Sequence, residues 1–211
     1  MHKTILIIFV ATISCAAASF PPPLLDPPEQ GPTGIAVLAG GCFWGVEAVF
    51  DHVAEVKQAI SGYAGGARET ARYERVETGR TGHAESVKVI YDPSRISYGK
   101  LLEIFFSVAH DPTQLNRQGP DEGPQYRSAI FYLNDEQKRV AEAYIRQLNE
   151  SRVFKHKIVT EVAPLPNGFF PAEAYHQHYL EHNPANPYIV FNDLPKLRRL
   201  KRDFPELWTE K

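Results

Sequence analysis

From residue 34 onward, apolar and polar positions switch between a strand-like and a helix-like period. Ile35 to Ala39 is an unbroken apolar run that stops at Gly40-Gly41, which predicts a first strand ending in a turn. Phe43, Val46, Val49, Phe50 and Val53 then recur at helical spacing and predict a helix over about 43–53. Val56 to Tyr63 reads as a strand closed by Gly65-Gly66. Ala84 to Tyr91 alternates, with Ala84, Ser86, Lys88 and Ile90 set against Glu85, Val87, Val89 and Tyr91, and ends at Asp92-Pro93.

The second half continues in the same mixed manner. Ser97 to Ala109 places Leu101, Ile104, Phe105 and Val108 on one helical face, and His110-Asp111-Pro112 ends it. A polar loop over Thr113 to Pro124 leads to a strand from Tyr126 to Leu133. Asn134 caps the next helix, Glu136 to Leu148. Lys157 to Ala163 reads as a strand and Pro171 to Glu181 as a short helix. The basic stretch Lys196 to Arg202, interleaved with Leu197 and Leu200, reads as the solvated face of an amphipathic terminal helix. Strands and helices are mixed without the regular alternation of a doubly wound fold. The expected class is therefore α+β, a two-layer sandwich of a mixed, mostly antiparallel sheet with helices packed on it.

The N-terminus has a different character. Lys3 precedes an apolar run from Ile5 to Ile13, broken only by Thr12, and Ala16-Ala17-Ala18-Ser19 follows. The run is too short to span a bilayer and its small-residue tail suits a peptidase, so residues 1–19 are expected to be an export signal. The protein would then be periplasmic or secreted. Lipid anchoring at Cys15 is the lesser alternative, because Thr12-Ile13-Ser14 lacks the leucine usual before such a cysteine. Residues 20–34, with Pro21, Pro22, Pro23, Pro27, Pro28 and Pro32, are expected to be an extended linker holding the domain away from the N-terminus. The domain itself is assigned to 35–211.

Length and charge narrow the classes. A chain of 211 residues suits one domain with a sizeable core. A net charge of -2 gives no bulk attraction to nucleic acid or acidic lipid. Of the two cysteines, Cys15 lies in the export segment, so Cys42 alone remains after cleavage and forms no internal disulfide. It stands where the first strand meets the first helix, and the positive end of a helix favours thiolate over thiol. Phe43 and Trp44 supply an apolar wall beside the sulfur that suits a small group such as a methyl. A reactive thiol and a buried, inert one both fit this spacing.

Gly41-Cys42-Phe43-Trp44-Gly45 after a short strand resembles the signature of the A-type peptide methionine sulfoxide reductases. Ser61-Gly62-Tyr63-Ala64-Gly65-Gly66, Thr81-Gly82-His83-Ala84-Glu85, Tyr91-Asp92-Pro93, His110-Asp111-Pro112 and Gln125-Tyr126-Arg127-Ser128 follow in the family's order, across roughly residues 35 to 190. The resemblance implies thiol-dependent reduction of methionine S-sulfoxide, in proteins and peptides and free, and repair of oxidised proteins. Cys42 would attack the sulfoxide sulfur while Glu85 protonates its oxygen, leaving a sulfenic acid on Cys42. Partial burial of Glu85 on its strand should raise its pKa and keep it protonated. Tyr63 and Tyr126 would donate hydrogen bonds to the oxygen. Phe43, Trp44, Asp121 and His176 would contact substrate.

Many members carry later cysteines that resolve the sulfenic acid, but this chain has none after Cys42. Its tail, Pro187 to Lys196, resembles the single-cysteine branch, which implies an external reductant: a dithiol protein of the thioredoxin or glutaredoxin type, or a small thiol. No cofactor and no metal are expected, nor a nucleic-acid partner, and the chain is expected to be a monomer. His178 and His182 are four apart, as two metal ligands on one helix face would be. No cysteine and no neighbouring acid completes the set, so the histidines are read as surface or pocket-rim residues. Two other classes remain: a cysteine hydrolase or acyltransferase pairing Cys42 with His83 or His176, and a non-catalytic module binding methionine-rich peptides through Phe43 and Trp44.

Overall fold

The computed structural model describes residues 20–165 and 167–211; the expected export segment, 1–19, lies outside the described residues. Strand β1 (Gly34–Gly40) leads into helix α1 (Phe43–Asp51), and β2 (Val56–Ala64) returns to the sheet. The short helix α2 (Tyr73–Val76) precedes β3 (Ala84–Tyr91) and α3 (Tyr98–Ile104). A small hairpin, β4 (Arg117–Gln118) and β5 (Asp121–Glu122), comes before β6 (Ser128–Tyr132) and the long helix α4 (Asp135–Ser151). The chain finishes with β7 (Glu161–Pro164), β8 (Phe170–Pro171), α5 (Tyr179–His182) and α6 (Leu194–Asp203).

The main sheet has six strands in the order β7-β6-β1-β3-β2-β8. Every neighbouring pair is antiparallel except β6 with β7. The architecture is therefore an open α+β sandwich. The alternation in β3 decides the faces: Val87, Val89 and Tyr91 join the main core with α1, α3, α4 and α6. Small residues such as Ala39, Ala64, Ala84 and Ala129 point to the other face, where Phe131 packs with Leu165 and Phe169. Glu85 has the parity of Val87, which delivers a carboxyl to the helix-covered face.

Helix caps follow the side chains that accept N–H groups. Ser97 accepts from Lys100 N at the start of α3, and Asn134 from Gln137 N at the start of α4. The predicted helix over 97–109 is α3 followed by wider, π-type turns from Phe105 to Ala109.

Three expectations need correcting. Tyr126 is not on a strand but in a 3₁₀ turn, Pro124–Tyr126, because Pro124 fixes the turn and the ladder begins only at Ser128. The strand expected from Lys157 pairs only over β7. The single helix expected over 171–181 is a 3₁₀ turn, Ala174–His176, followed by α5. It is interrupted because Gln177 ties to Ser61 N, Ser61 O and Ala172 O at 3.0–3.1 Å, and His178 turns left-handed at φ 50.

The proline-rich segment is fastened along the domain. Tyr144 donates its hydroxyl to Pro21 O at 2.7 Å, Gln147 Nε2 donates to Pro22 O at 2.8 Å, and Leu24 N donates to Gln147 Oε1 at 2.9 Å. Asp26 accepts from Gly99 N at the start of α3. Unpaired backbone in an extended segment gains partners wherever a neighbouring helix offers them, and α4 does.

Candidate active site

Cys42 is the N-cap of α1 and its residue is 8% exposed, so the fold holds the thiol at the helix start just below the surface. Gly41, at φ +94, makes the turn that places it, with Gln118 packed where a side chain at Gly41 would stand. The helix end does not make a thiolate here. Burial, then the charges of Glu85 and Asp193, push the Cys42 thiol well above its usual value, and the Trp44 backbone N–H and Lys196 only partly oppose this. Removing water from a thiol penalises its ionised form more than half a helix charge favours it.

Glu85 stands beside it. Its Oε2 accepts the Phe43 backbone N–H at 3.0 Å, one residue past the thiol. Burial pushes its carboxyl up to about 8, with the Phe43 N–H pulling the other way, so Glu85 carries a proton at neutral pH. A buried neutral carboxyl next to a nucleophile is a general acid in waiting.

The two tyrosines differ. Tyr63 lies directly across from Glu85 in the β2–β3 ladder and is fully buried, with its ring 5.9 Å from that of Phe43. Its hydroxyl proton goes to Glu173 Oε2 at 2.9 Å. In this arrangement the one proton of Tyr63, expected from sequence to serve substrate oxygen, is directed at Glu173. Burial comes first in pushing the Tyr126 phenol upward, followed by the charges of Glu85, Asp121 and Cys42, which puts Tyr126 among the site's acids.

An aromatic wall closes the other side. Trp44 stacks on Tyr179 at 3.7 Å and meets Tyr188 edge-on at 6.0 Å. Trp44 Nε1 donates to His176 Nδ1 at 3.1 Å, which makes Nε2 the protonated nitrogen of a neutral imidazole. Burial lowers the His176 pKa, in keeping with that tautomer. Phe43 fills the floor, its ring 5.0 Å from His176. Asp121, at the head of β5, accepts the Tyr188 hydroxyl.

All eight residues singled out from sequence thus belong to one interconnected region of α1, β2, β3 and the turns over them. Five more were missed: Tyr73, Glu173, Tyr188, Asp193 and Lys196. Asp193 is fully buried and pairs with Lys196 at 3.0 Å, over the first turn of α1. A Cβ at Gly45 would collide with Asp193 Oδ1 and come within 2.6 Å of Lys196 Nζ, so the glycine makes room for the pair. Lone polar residues in a tail carry no periodic signal; only the Asp193-to-Lys196 spacing of one helical turn was there to be read.

The histidines sort themselves by partner. His83 binds Gly66 N and Ala67 O, at 3.2 and 2.9 Å. His178 faces Asp51 at 2.9 Å and, with Glu47, forms a group whose ligand-type atoms lie within 4.8 Å of one another. The fold thereby supplies acids to His178 that its sequence neighbours do not. Burial pulls its pKa down, but Asp51 and Glu47 outweigh burial and raise it, and the contact is an ion pair whenever the ring is protonated.

A lone thiol at a helix start, a protonated carboxyl beside it and an aromatic wall define a thiol-based site on an open α+β sandwich. The sequence profile described as "Peptide methionine sulfoxide reductase" matches residues 34–207. The chain is 58% identical over 176 residues to "Peptide methionine sulfoxide reductase MsrA 2" of Mesorhizobium japonicum, covering 83% of this chain and 90% of that protein. It is 53% identical over 173 residues to the MsrA of Pasteurella multocida, covering 82% and 97%. Among solved structures, the reduced form of Mxr1 from Saccharomyces cerevisiae superposes with a TM-score of 0.66 at 34% identity, covering 77% of this chain and 92% of that one. Methionine sulfoxide reductase A of Corynebacterium diphtheriae does so with 0.63 at 37% identity, covering 74% and 77%. The chain belongs to the peptide methionine sulfoxide reductase family.

Proposed function

We propose that this protein reduces methionine S-sulfoxide, free and in peptides and proteins, back to methionine. The observation that carries the reading is the buried, protonated Glu85 bonded to the backbone N–H that follows Cys42. The substrate methyl group lies against Phe43 and Trp44, and the oxygen points toward Glu85 and Tyr126. Cys42 sulfur supplies an electron pair to the sulfoxide sulfur while Glu85 protonates the oxygen. The hydroxyl then passes to the Cys42 sulfur: the substrate S–O bond and the transient S–S bond break, a Cys42 S–O bond forms, methionine leaves, and Cys42 is a sulfenic acid. Cys42 gives up its thiol proton to solvent before the attack and Glu85 recovers a proton from solvent afterwards, so the carboxyl ends as it began. Substrate sulfur gains two electrons and Cys42 sulfur loses two.

Two external thiols complete the cycle, forming water and a disulfide and restoring Cys42. A dithiol protein of the thioredoxin type or a small thiol fits, since no cysteine follows Cys42 in the sequence. Export through residues 1–19 and action as a monomer complete the proposal. A hydrolase reading finds less support, because His83 and His176 are both committed to other partners.

The test is turnover of a methionine sulfoxide peptide with dithiothreitol. Wild-type protein should reduce it, Cys42→Ser should be inactive, and oxidised protein without reductant should yield a dimedone adduct at Cys42. Full activity in Cys42→Ser would overturn the reading.

A further inference from the structure

Tyr63 and Tyr126 are chemically alike but differently bound, and the difference assigns them different work. Tyr63 has one hydroxyl proton, and it lies on Glu173 Oε2 at 2.9 Å. Glu173 Oε1 accepts the Tyr73 backbone N–H at 3.0 Å, so the carboxylate is held at both oxygens. Burial pushes the Glu173 carboxyl up, but the N–H groups of Tyr73 and of Glu173 itself, with the Tyr63 hydroxyl, outweigh it and hold the pKa below its usual value. An ionised carboxylate accepts and never donates, which fixes the direction of the bond. Tyr63 is 0% exposed, and Glu173 is the side-chain partner of its hydroxyl among the described residues. The Tyr126 hydroxyl, by contrast, makes no hydrogen bond to another side chain among the described residues and keeps its proton for a ligand.

We propose that Glu173 is a positioning residue that fixes the polarity of the Tyr63 hydroxyl, so that Tyr63 meets the sulfoxide oxygen as an acceptor and Tyr126 is the tyrosine that donates. The inference rests on the reductase reading above. A sulfoxide oxygen carries lone pairs only, and a Tyr63 lone pair gains nothing from it in the ground state. Once the Glu85 proton has moved, that oxygen bears an O–H, and the Tyr63 lone pair then accepts it. The Tyr63 O–H stays bonded to Glu173 throughout, and Glu85 alone gives up a proton to the substrate. The contact forms only as the reaction proceeds, which favours the transition state over bound substrate. The β2–β3 pairing of Tyr63 with Glu85 brings the acceptor to the strand position opposite the acid.

Glu173→Gln tests this with little change of shape. The amide oxygen can keep the Tyr73 N–H, while its NH₂ faces Tyr63 and forces the phenol to accept there and turn its proton into the site. The expected result, with the full chain and a methionine sulfoxide peptide under dithiothreitol, is a fall in kcat of about tenfold, the scale of one misplaced hydrogen bond, with KM nearly unchanged. In a Tyr63→Phe background the same substitution should then have little further effect, the non-additivity expected of residues acting through one another. An unchanged kcat in Glu173→Gln, or an undiminished fall in the Tyr63→Phe background, overturns the proposal. Should Glu173→Gln fail to fold, the two tyrosines still decide it. Tyr63→Phe should lower kcat at constant KM, and Tyr126→Phe should raise KM; the same split in both variants overturns it. Absence of turnover in the wild-type protein would instead overturn the reductase reading.

Discussion

Tyr63 on β2 and Glu85 on β3 are direct cross-strand partners, and both face helix α1, where Phe43 touches each of them. The sheet's register thus sets the Glu85 carboxyl and the Tyr63 phenol side by side at the start of α1, next to Cys42. Side chains opposite one another in a ladder lie about 5 Å apart, and a one-residue slip would send both to the far face.

Glu85→Gln should retain the Phe43 N–H bond through its amide oxygen but offers no acidic proton. Sulfenic acid formation at Cys42 should fall by about two orders of magnitude or more, the usual contribution of a general acid. Single-turnover kinetics read by methionine release would check it, with substrate affinity little changed.

A pH profile follows from the raised acid and thiol. With Glu85 at about 8 and the Cys42 thiol higher, the pair holds two protons at neutral pH and one between the two values. The reactive form carries its single proton on Glu85 and none on Cys42. Accordingly, kcat/KM should climb as pH rises through about 8 and fall again above the thiol's value, and both limbs belong to the coupled pair. In Glu85→Gln the limb near 8 should vanish, leaving one rise that follows thiol ionisation. A single limb at the same position in both proteins would contradict the assignment.

Stability should show the same acids. Burial raises Glu85 to about 8 and Glu47 to about 7, above the values these carboxyls take in an unfolded chain. The folded state therefore binds their protons more tightly. This contribution is fully present below the unfolded carboxylate range near 4.3 and is lost as pH rises through about 7 to 8. The melting temperature should fall across that window, and less steeply in Glu85→Gln; differential scanning calorimetry at a series of pH values would measure it.

Gly45→Ala should be costly although alanine favours helices. Its Cβ would meet the buried Asp193–Lys196 pair, which has little room to retreat from the first turn of α1. A loss of about 1–3 kcal/mol is expected from overpacking of this kind, seen as a lower denaturation midpoint. Reductase activity should drop too, since the same turn carries Cys42.

Tyr188→Phe should act on binding. It removes the hydroxyl that Asp121 accepts and leaves a half-buried carboxylate short of a donor beside the aromatic wall. A several-fold rise in KM with kcat held is expected for a loss on the order of one hydrogen bond. An equal fall in kcat at constant KM would place Tyr188 in the chemistry instead.

Much of the site was legible because it is local. The break of an apolar run at Gly40-Gly41 put Cys42 at a helix start, and the period of two in 84–91 put Glu85 on the same face as Val87 and Val89, which is the buried one. These patterns reflect backbone geometry that the sequence writes directly. Tyr126 was placed in the right region but the wrong element, because Pro124 and not periodicity governs that turn.

What the chain alone determined is the place of Cys42 at a helix start, the buried parity of Glu85, the mixed run of the main strands and helices, and the absence of any cysteine after Cys42. Only the tertiary structure decided their states and partners. It withheld water from Cys42 and so reversed the effect expected of the helix end. It set Asp193 and Lys196 over Gly45, and Glu173 against Tyr63, across 148 and 110 positions. Burial and pairing at such separations depend on how elements pack. Packing follows from the whole core, and no local pattern of residues encodes it.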